Sequence, residues 1–230
     1  MSASAELVFY YGPMGAGKST LALQTHFNQR QQGRSGVLLT KDDRSNRPLV
    51  TSRIGLAAEA IAVDDHTDVY ALITGRGIPD FLVCDEAQFL TIAQVDQLAG
   101  LVDDHAVSVF AYGLLTDFRS VLFPGSARLV EIADEIHRMQ AVVLCWCGRD
   151  AFLNARIVNG RMVHAGELIA IGDTGDGPVH YRPLCRRHFT QGRIDAGGEP
   201  GPVDTDSQNP FSTCLLYTSD AADERSSADL

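Results

Sequence analysis

Leu7-Val8-Phe9-Tyr10-Tyr11, followed at once by Gly12-Pro13-Met14-Gly15-Ala16-Gly17-Lys18-Ser19-Thr20, decides the fold. Five consecutive apolar and aromatic residues are what a strand buried on both faces of a parallel sheet requires. The next eight fit G-x-x-x-x-G-K-[ST] without a mismatch. Glycine at its fixed positions lets backbone N–H groups turn inward around phosphates with no Cβ in the way. Lys18 then brings a point charge to the β- and γ-phosphates, Ser19 offers a hydroxyl to Mg²⁺, and a following helix adds its N-terminal dipole. Ser19 to about Gln32 reads as that helix, with Leu23 and Phe27 on one face and Gly33 as its stop.

Working outward, Gly36-Val37-Leu38-Leu39-Thr40 is a second buried strand and Ala60-Ile61-Ala62-Val63 a short third. Helix-like Asp68–Thr74 leads to a fourth, Phe81-Leu82-Val83-Cys84, which ends in Asp85-Glu86. Ile92, Val95, Leu98 and Leu101 recur at helical spacing; Val107–Tyr112 is a further strand and Arg128–Ile136 a further helix. Strands alternating with helices predict an α/β fold, a mostly parallel sheet flanked by helices.

Asp85 closes an apolar strand, which puts it at the carboxyl edge of the sheet, where ligands of such folds bind. Glu86 follows at the same edge. One carboxylate can attend Mg²⁺ while the other orients an attacking hydroxyl and accepts its proton. A motor-type NTPase can carry the same pair with the glutamate activating water. The pair therefore points to phosphoryl chemistry and leaves the acceptor open between a small molecule and water.

The texture changes at Cys145. Ala155-Arg156-Ile157-Val158, Asn159-Gly160 and Arg161-Met162-Val163 spell a hairpin with a type I′ turn. Ile169-Ala170-Ile171 is a further strand, and a loop rich in Gly and Asp, Gly172–Gly177, precedes Cys185. So small a β lobe needs a staple. Cys145-x-Cys147 and Cys185-x-x-His188 offer four N/S ligands, the set of a tetrahedral structural Zn²⁺ with no open position. Of the remaining two of the five cysteines, Cys84 sits in a buried strand as a small apolar residue and Cys214 in the tail.

From about Ile194 the chain is rich in Gly, Pro and Asp and is expected to be disordered. Its last part, Ser212–Leu230, has no compositional tie to the body and reads as a non-native extension. Of the net charge of −10, most belongs to this tail, where eight acids stand against Arg225. A body near neutrality has no electrostatic footprint for gripping nucleic acid. No apolar run approaches the ~18 residues of a membrane span, and the first residues lack the pattern of a signal peptide, so a cytoplasmic protein with no membrane partner is expected.

Gly12–Thr20, Asp85-Glu86-Ala87-Gln88-Phe89, Tyr112-Gly113-Leu114-Leu115-Thr116-Asp117-Phe118-Arg119, Cys145-x-Cys147-Gly148 and Cys185-x-x-His188 stand in one order along residues 5–190. Together they resemble the zinc-containing, cytosolic type of thymidine kinase, bacterial branch. The resemblance implies a P-loop (RecA-like) sheet with a small zinc-stapled β lobe and a lasso loop. It divides the chain into an ATP-binding domain (1–143), a zinc-binding lobe (144–193) and a tail (194–230). It implies transfer of the γ-phosphate of ATP to the 5′-hydroxyl of thymidine, with Mg²⁺ and a structural Zn²⁺ as cofactors, dTTP as feedback inhibitor, and a homotetramer. The other reading of the loop and acid pair, a RecA-like NTPase acting on nucleic acid, needs a basic track that the body lacks.

Residue by residue, the resemblance makes Glu86 the general base, with Lys18 and Arg44 as the other catalytic groups. Gly12, Pro13, Met14, Gly15, Ala16, Gly17, Lys18, Ser19 and Thr20 would hold ATP and Mg²⁺, with Asp42, Asp85, Glu86, Ala87 and Gln88. Phe89, Leu114, Phe118 and Phe123 would wall the thymine pocket. Ile169, Ala170, Ile171, Gly172 and Tyr181 would belong to the lasso that closes over the base. Cys145, Cys147, Cys185 and His188 would hold the zinc.

Overall fold

β1 (Leu7–Tyr11) runs into the glycine loop, and α1 (Lys18–Gln31) leaves it. A computed structural model describes residues 5–41, 49–140, 142–164 and 179–197. β2 (Gly36–Lys41) follows, then a small antiparallel pair, β3 (Leu49–Thr51) and β4 (Ala57–Glu59), and the short β5 (Ile61–Val63). α2 (Val69–Thr74), β6 (Phe81–Asp85), a 3₁₀ turn (Ala87–Phe89), α3 (Ile92–His105) and β7 (Ser108–Gly113) come next. α4 (Pro124–Ile132) and β8 (Glu135–Arg138) complete the larger unit. Its six strands are all parallel, in the order β5-β2-β6-β7-β1-β8.

Alternation along β6 shows how the sheet is sealed. Leu82 and Cys84 face the cluster that contains Leu98 and Leu101 of α3, while Phe81 and Val83 face Ala22 and Leu23 of α1. Burial on both sides accounts for the unbroken apolar runs. α3 begins with a capping box: the Thr91 hydroxyl accepts from Gln94 N–H, and the Gln94 side chain accepts from Thr91 N–H.

Two expectations change. On α1 the stripe facing the sheet is Ala22, Leu23 and His26, whose ring meets Phe81; Phe27 lies one step further round and is 56% exposed. The helix expected over Arg128–Ile136 instead starts at Pro124, which holds the first helical position, and ends at Ile132. Asp134 Oδ2 then accepts from Leu7 N–H at 2.7 Å and draws the chain onto the β1 edge. There Glu135–Arg138 pairs parallel to β1. All four β8 residues are exposed, so no apolar alternation marked them as a strand.

The smaller unit contains β9 (Leu153–Val158), β10 (Arg161–Val163), β11 (Val179–Leu184) and α5 (Arg186–Thr190), with strand order β10-β9-β11. Asn159 (φ 50°) and Gly160 (φ 76°) form the expected turn between β9 and β10. Its buried apolar cluster is small and includes two of the cysteines, Cys145 and Cys185.

The helix and the 3₁₀ turn touch where side chains have no room. A Cβ on Gly125 of α4 would stand 2.5 Å from Leu90 O, 2.8 Å from Ala87 O and 3.0 Å from Gln88 O. These neighbours are backbone atoms and cannot rotate away. Gly125→Ala is expected to cost about 2 kcal/mol, read as a fall in Tm of roughly 4–8 °C.

Candidate active site and metal centre

The carboxyl ends of β1, β6 and β7 converge on one edge, and the loops leaving them build the site. Gly15 (φ 82°) and Gly17 (φ 75°) take the left-handed backbone that bends the phosphate loop. Ala16 N–H bonds Pro13 O at 3.2 Å and Lys18 Nζ donates to Pro13 O at 3.1 Å. Burial lowers the Lys18 ammonium pKa, and the carboxylates of Glu86 and Asp85 act against that shift.

Asp85 ends β6 beneath this loop and is 5% exposed. Burial and the adjacent Glu86 push its carboxyl up to about 6, against a hydrogen bond from Ser19 and the charge of Lys18. Its Oδ1 is buried with no hydrogen-bond partner among the described residues. An orphaned carboxylate oxygen beside a P-loop serine suits a divalent cation bound to oxygen ligands.

Glu86 has φ 54°, a left-handed conformation rare outside glycine. The strain turns its carboxylate out of the β6 line and into the cavity. Gln88 then holds it: Gln88 Nε2 donates to Glu86 Oε2, while Gln88 Oε1 accepts from Leu114 N–H at 2.9 Å. Ser126 Oγ of α4 donates to Leu114 O at 2.6 Å, so the exits of β6 and β7 are locked to one another and to α4.

A cavity of about 500 Å³ joins the phosphate loop to these groups. It is lined by Lys18, Ser19, Thr20 and Glu86 together with the apolar and aromatic side chains of Phe89, Leu114, Phe118, Phe123 and Tyr181. Phe89 and Phe123 meet edge to face with centroids 5.5 Å apart. Met14, Gly15, Gly17 and Gln88 line it too, whereas Gly12 and Pro13 line a neighbouring cavity. Ala16 and Ala87 are fully buried, Ala87 within the core against α3. Asp42 and Arg44, and Ile169, Ala170, Ile171 and Gly172, lie outside the described residues.

In the smaller unit, Cys145, Cys147, Cys185 and His188 offer ligand atoms all within 4.8 Å of one another. Cys145 Sγ stands 3.4 Å and Cys185 Sγ 3.6 Å from His188 Nδ1, and Cys147 Sγ lies 3.9 Å from Cys185 Sγ. With Zn–S near 2.3 Å and Zn–N near 2.0 Å, a tetrahedral site has edges of roughly 3.5–3.8 Å, so the donor set fits that ion in chemistry and spacing. The short C-x-C spacing works because Gly148 (φ 80°) closes a tight turn in which Gly148 N–H bonds Cys145 O at 2.9 Å. Trp146, between the two cysteines, stacks on the His188 ring with centroids 4.0 Å apart.

The family model for thymidine kinase matches residues 5–189. This chain belongs to the thymidine kinase family. Relatives carry the same family name: the thymidine kinase of Cutibacterium acnes is 51% identical over 193 residues, covering 82% of this chain and 89% of its own. That of Streptomyces coelicolor is 45% identical over 207 residues, covering 87% and 96%. Among solved structures, the Legionella pneumophila ATPase DotB covers 56% of this chain and 37% of its own at TM-score 0.32 and 15% identity, too slight a likeness to carry an argument. Among the described residues, no helix is long and apolar enough to cross a membrane.

The sequence reading overlooked the residues that β9 sends to this family site. Asn154 Oδ1 accepts from Met14 N–H at 2.9 Å, across 140 residues of chain. Arg156 packs its guanidinium 3.6 Å from the Phe118 centroid and its Nε donates to Tyr181 Oη at 3.0 Å. Both are buried, and they stand two apart on one face of a strand. That alternation was available in the hairpin pattern; what the face would meet was not.

Two outcomes follow from these geometries. Removing metal with a chelator should change the fluorescence of Trp146, the only tryptophan, and lower the Tm of the purified chain; an unchanged spectrum and Tm would dismiss the metal centre. For the ligand-free protein, a carboxyl raised in the folded state binds more protons folded than unfolded, so its contribution to stability falls as pH rises from about 4 through about 6. Asp85→Asn should therefore stabilise the ligand-free chain by about 2–3 kcal/mol at pH 7.5, with a smaller gain at pH 5, measured by denaturant unfolding.

Proposed function

We propose that the chain is an ATP:thymidine 5′-phosphotransferase, and one observation carries this reading: a single cavity is lined by a phosphate-loop lysine, a strained glutamate and a set of aromatic side chains. A slot walled by Phe89, Phe118, Phe123 and Tyr181 suits a flat base. Placing the base there brings the 5′-hydroxyl of an attached sugar towards Glu86.

In this reading Glu86 accepts the proton of the 5′-hydroxyl as that oxygen attacks the γ-phosphorus of ATP, while the bond from that phosphorus to the β,γ-bridging oxygen breaks and ADP leaves. Gln88 aims the carboxylate, and its strained backbone keeps it out of the strand line. Lys18 balances charge on the transferring phosphoryl group, as do the loop N–H groups. Ser19 and Asp85 would hold Mg²⁺, which would supply positive charge to offset that of the phosphates. Asp42 and Arg44 would add to this phosphate site, and residues 169–172 would close over the base. The family names of the relatives, which are thymidine kinases, support thymidine as the acceptor.

The four-ligand cluster would hold a structural Zn²⁺ that stabilises residues 144–193, packed beside the ATP-binding part, 1–143, with 194–230 as a tail. Feedback by dTTP, a homotetramer and a cytoplasmic location complete the proposal, resting on the family assignment.

With Mg-ATP, thymidine should drive ADP release, and dTMP should form in equal amount. Glu86→Gln should lower kcat by roughly 10²–10⁴-fold, the usual worth of a general base, while leaving ATP binding intact by calorimetry. ADP release independent of thymidine, or stimulated only by DNA or RNA, would overturn the proposal; near wild-type turnover in Glu86→Gln would remove Glu86 as the base.

A further inference from the structure

Several of the polar side chains that line the cavity beside its aromatic residues are already engaged. Gln88 spends its oxygen on Leu114 N–H and its amide nitrogen on Glu86. Asp117 is paired with Arg119 and accepts from the N–H groups of Arg119 and Val121. The Tyr181 hydroxyl accepts from Arg156. Asn154 differs: it is 4% exposed, and its one hydrogen bond to a described residue uses Oδ1 alone.

That bond also fixes which way the amide faces. The partner is a main-chain N–H, which can only donate, so the oxygen of Asn154 must meet Met14. A flipped amide would set two donors against each other. Nδ2 is therefore held on the opposite side of a planar group, with two N–H bonds and no partner among the described residues. Asn154 lines the cavity, and a donor there that a ligand satisfies confers selectivity.

The ligand atom it meets follows from stereochemistry. Asn154 is bonded to the phosphate loop itself, and that loop holds the phosphoryl group that goes to the 5′-oxygen. In an anti nucleoside the 5′-carbon lies over the C6 edge of the pyrimidine, and O2 points the other way. A donor anchored to the phosphate loop thus faces the C6–C5–C4 side, where the only acceptor of thymine is O4. Cytosine presents an amino group there, which would oppose the amide donors.

We propose that Asn154 is a specificity-determining residue, with Nδ2 donating to the 4-carbonyl of a 4-keto pyrimidine nucleoside and thereby rejecting 4-amino pyrimidines. This rests on the nucleoside kinase reading above and deepens it. It gives the β9 strand two roles through one side chain: Oδ1 anchors the phosphate loop, and Nδ2 reads the base.

The test measures kcat/KM of the full chain for 2′-deoxyuridine, for its analogue carrying hydrogen in place of O4, and for 2′-deoxycytidine. Wild type and Asn154→Asp are compared, because aspartate keeps an acceptor for Met14 N–H and removes the donor. Loss of O4 should cost the wild type roughly tenfold or more, the worth of one buried hydrogen bond, and should cost Asn154→Asp far less. The preference of Asn154→Asp for deoxyuridine over deoxycytidine should shrink by a similar factor. The same O4 penalty in both proteins, or a wild type indifferent to O4, would overturn the assignment; the second comparison needs no variant and so survives a misfolded one. A chain that phosphorylates none of the three, nor thymidine, overturns the kinase reading instead.

Discussion

Gln88 is the side chain on which the site depends. It is 1% exposed, and it bonds a carboxylate at one end and a main-chain N–H at the other. Those partners leave different strands, β6 and β7, so one amide sets the separation between the candidate base and the aromatic wall. The space around it is closed to the point that only glycine fits: a Cβ on Gly113 would lie 2.8 Å from Gln88 Oε1. With Gly125 pressed on the other side, the turn that carries Glu86 and Gln88 is clamped between a strand end and a helix. A buried amide with both ends bonded has little freedom to turn, and that rigidity lets a strained glutamate persist.

Most of the larger unit was legible in the residues. Phe81–Asp85 is buried at every position, and its sequence shows an uninterrupted apolar run closed by an acid. The phosphate loop was legible for a related reason: its glycines are demanded by backbone angle, and nothing lies within 4 Å of where a Cβ on Gly15 or Gly17 would stand. Local chemistry of that kind leaves a local signature. β8 left none, because its residues face solvent and its place is set by a hydrogen bond from Leu7 to Asp134, 127 positions away. Asn154 and Arg156 were hidden for the same reason. A polar residue on a strand reads as solvated until the surface opposite it is known.

The metal cluster shows how a small core and a ligand set divide the work. The apolar cluster of the smaller unit is built from Ala151, Ala155, Leu184 and Phe189, with Cys145 and Cys185 contributing both sulfur and packing. α5 gives Cys185 and His188 one turn apart, and the Gly148 turn gives Cys145 and Cys147. Arg193 extends the Trp146–His188 stack, its guanidinium 5.4 Å from the indole centroid. The donors are thus ordered by their own local turns, and a metal ion needs only to join two segments that are already shaped.

The strand order has a consequence for how the chain is made. β1 is the first strand synthesised, yet its two neighbours, β7 and β8, are among the last of the sheet, reaching to Arg138. Until then an emerging chain carries a wholly apolar segment with both edges open, the kind of segment that pairs wrongly with other chains. Neighbouring strands β2 and β6 can meet earlier, but the phosphate loop has no seat before β1 is enclosed. Nucleotide therefore cannot assist the early stages of folding, and translation of this protein passes through a long interval in which its most conspicuous motif is also its most exposed liability.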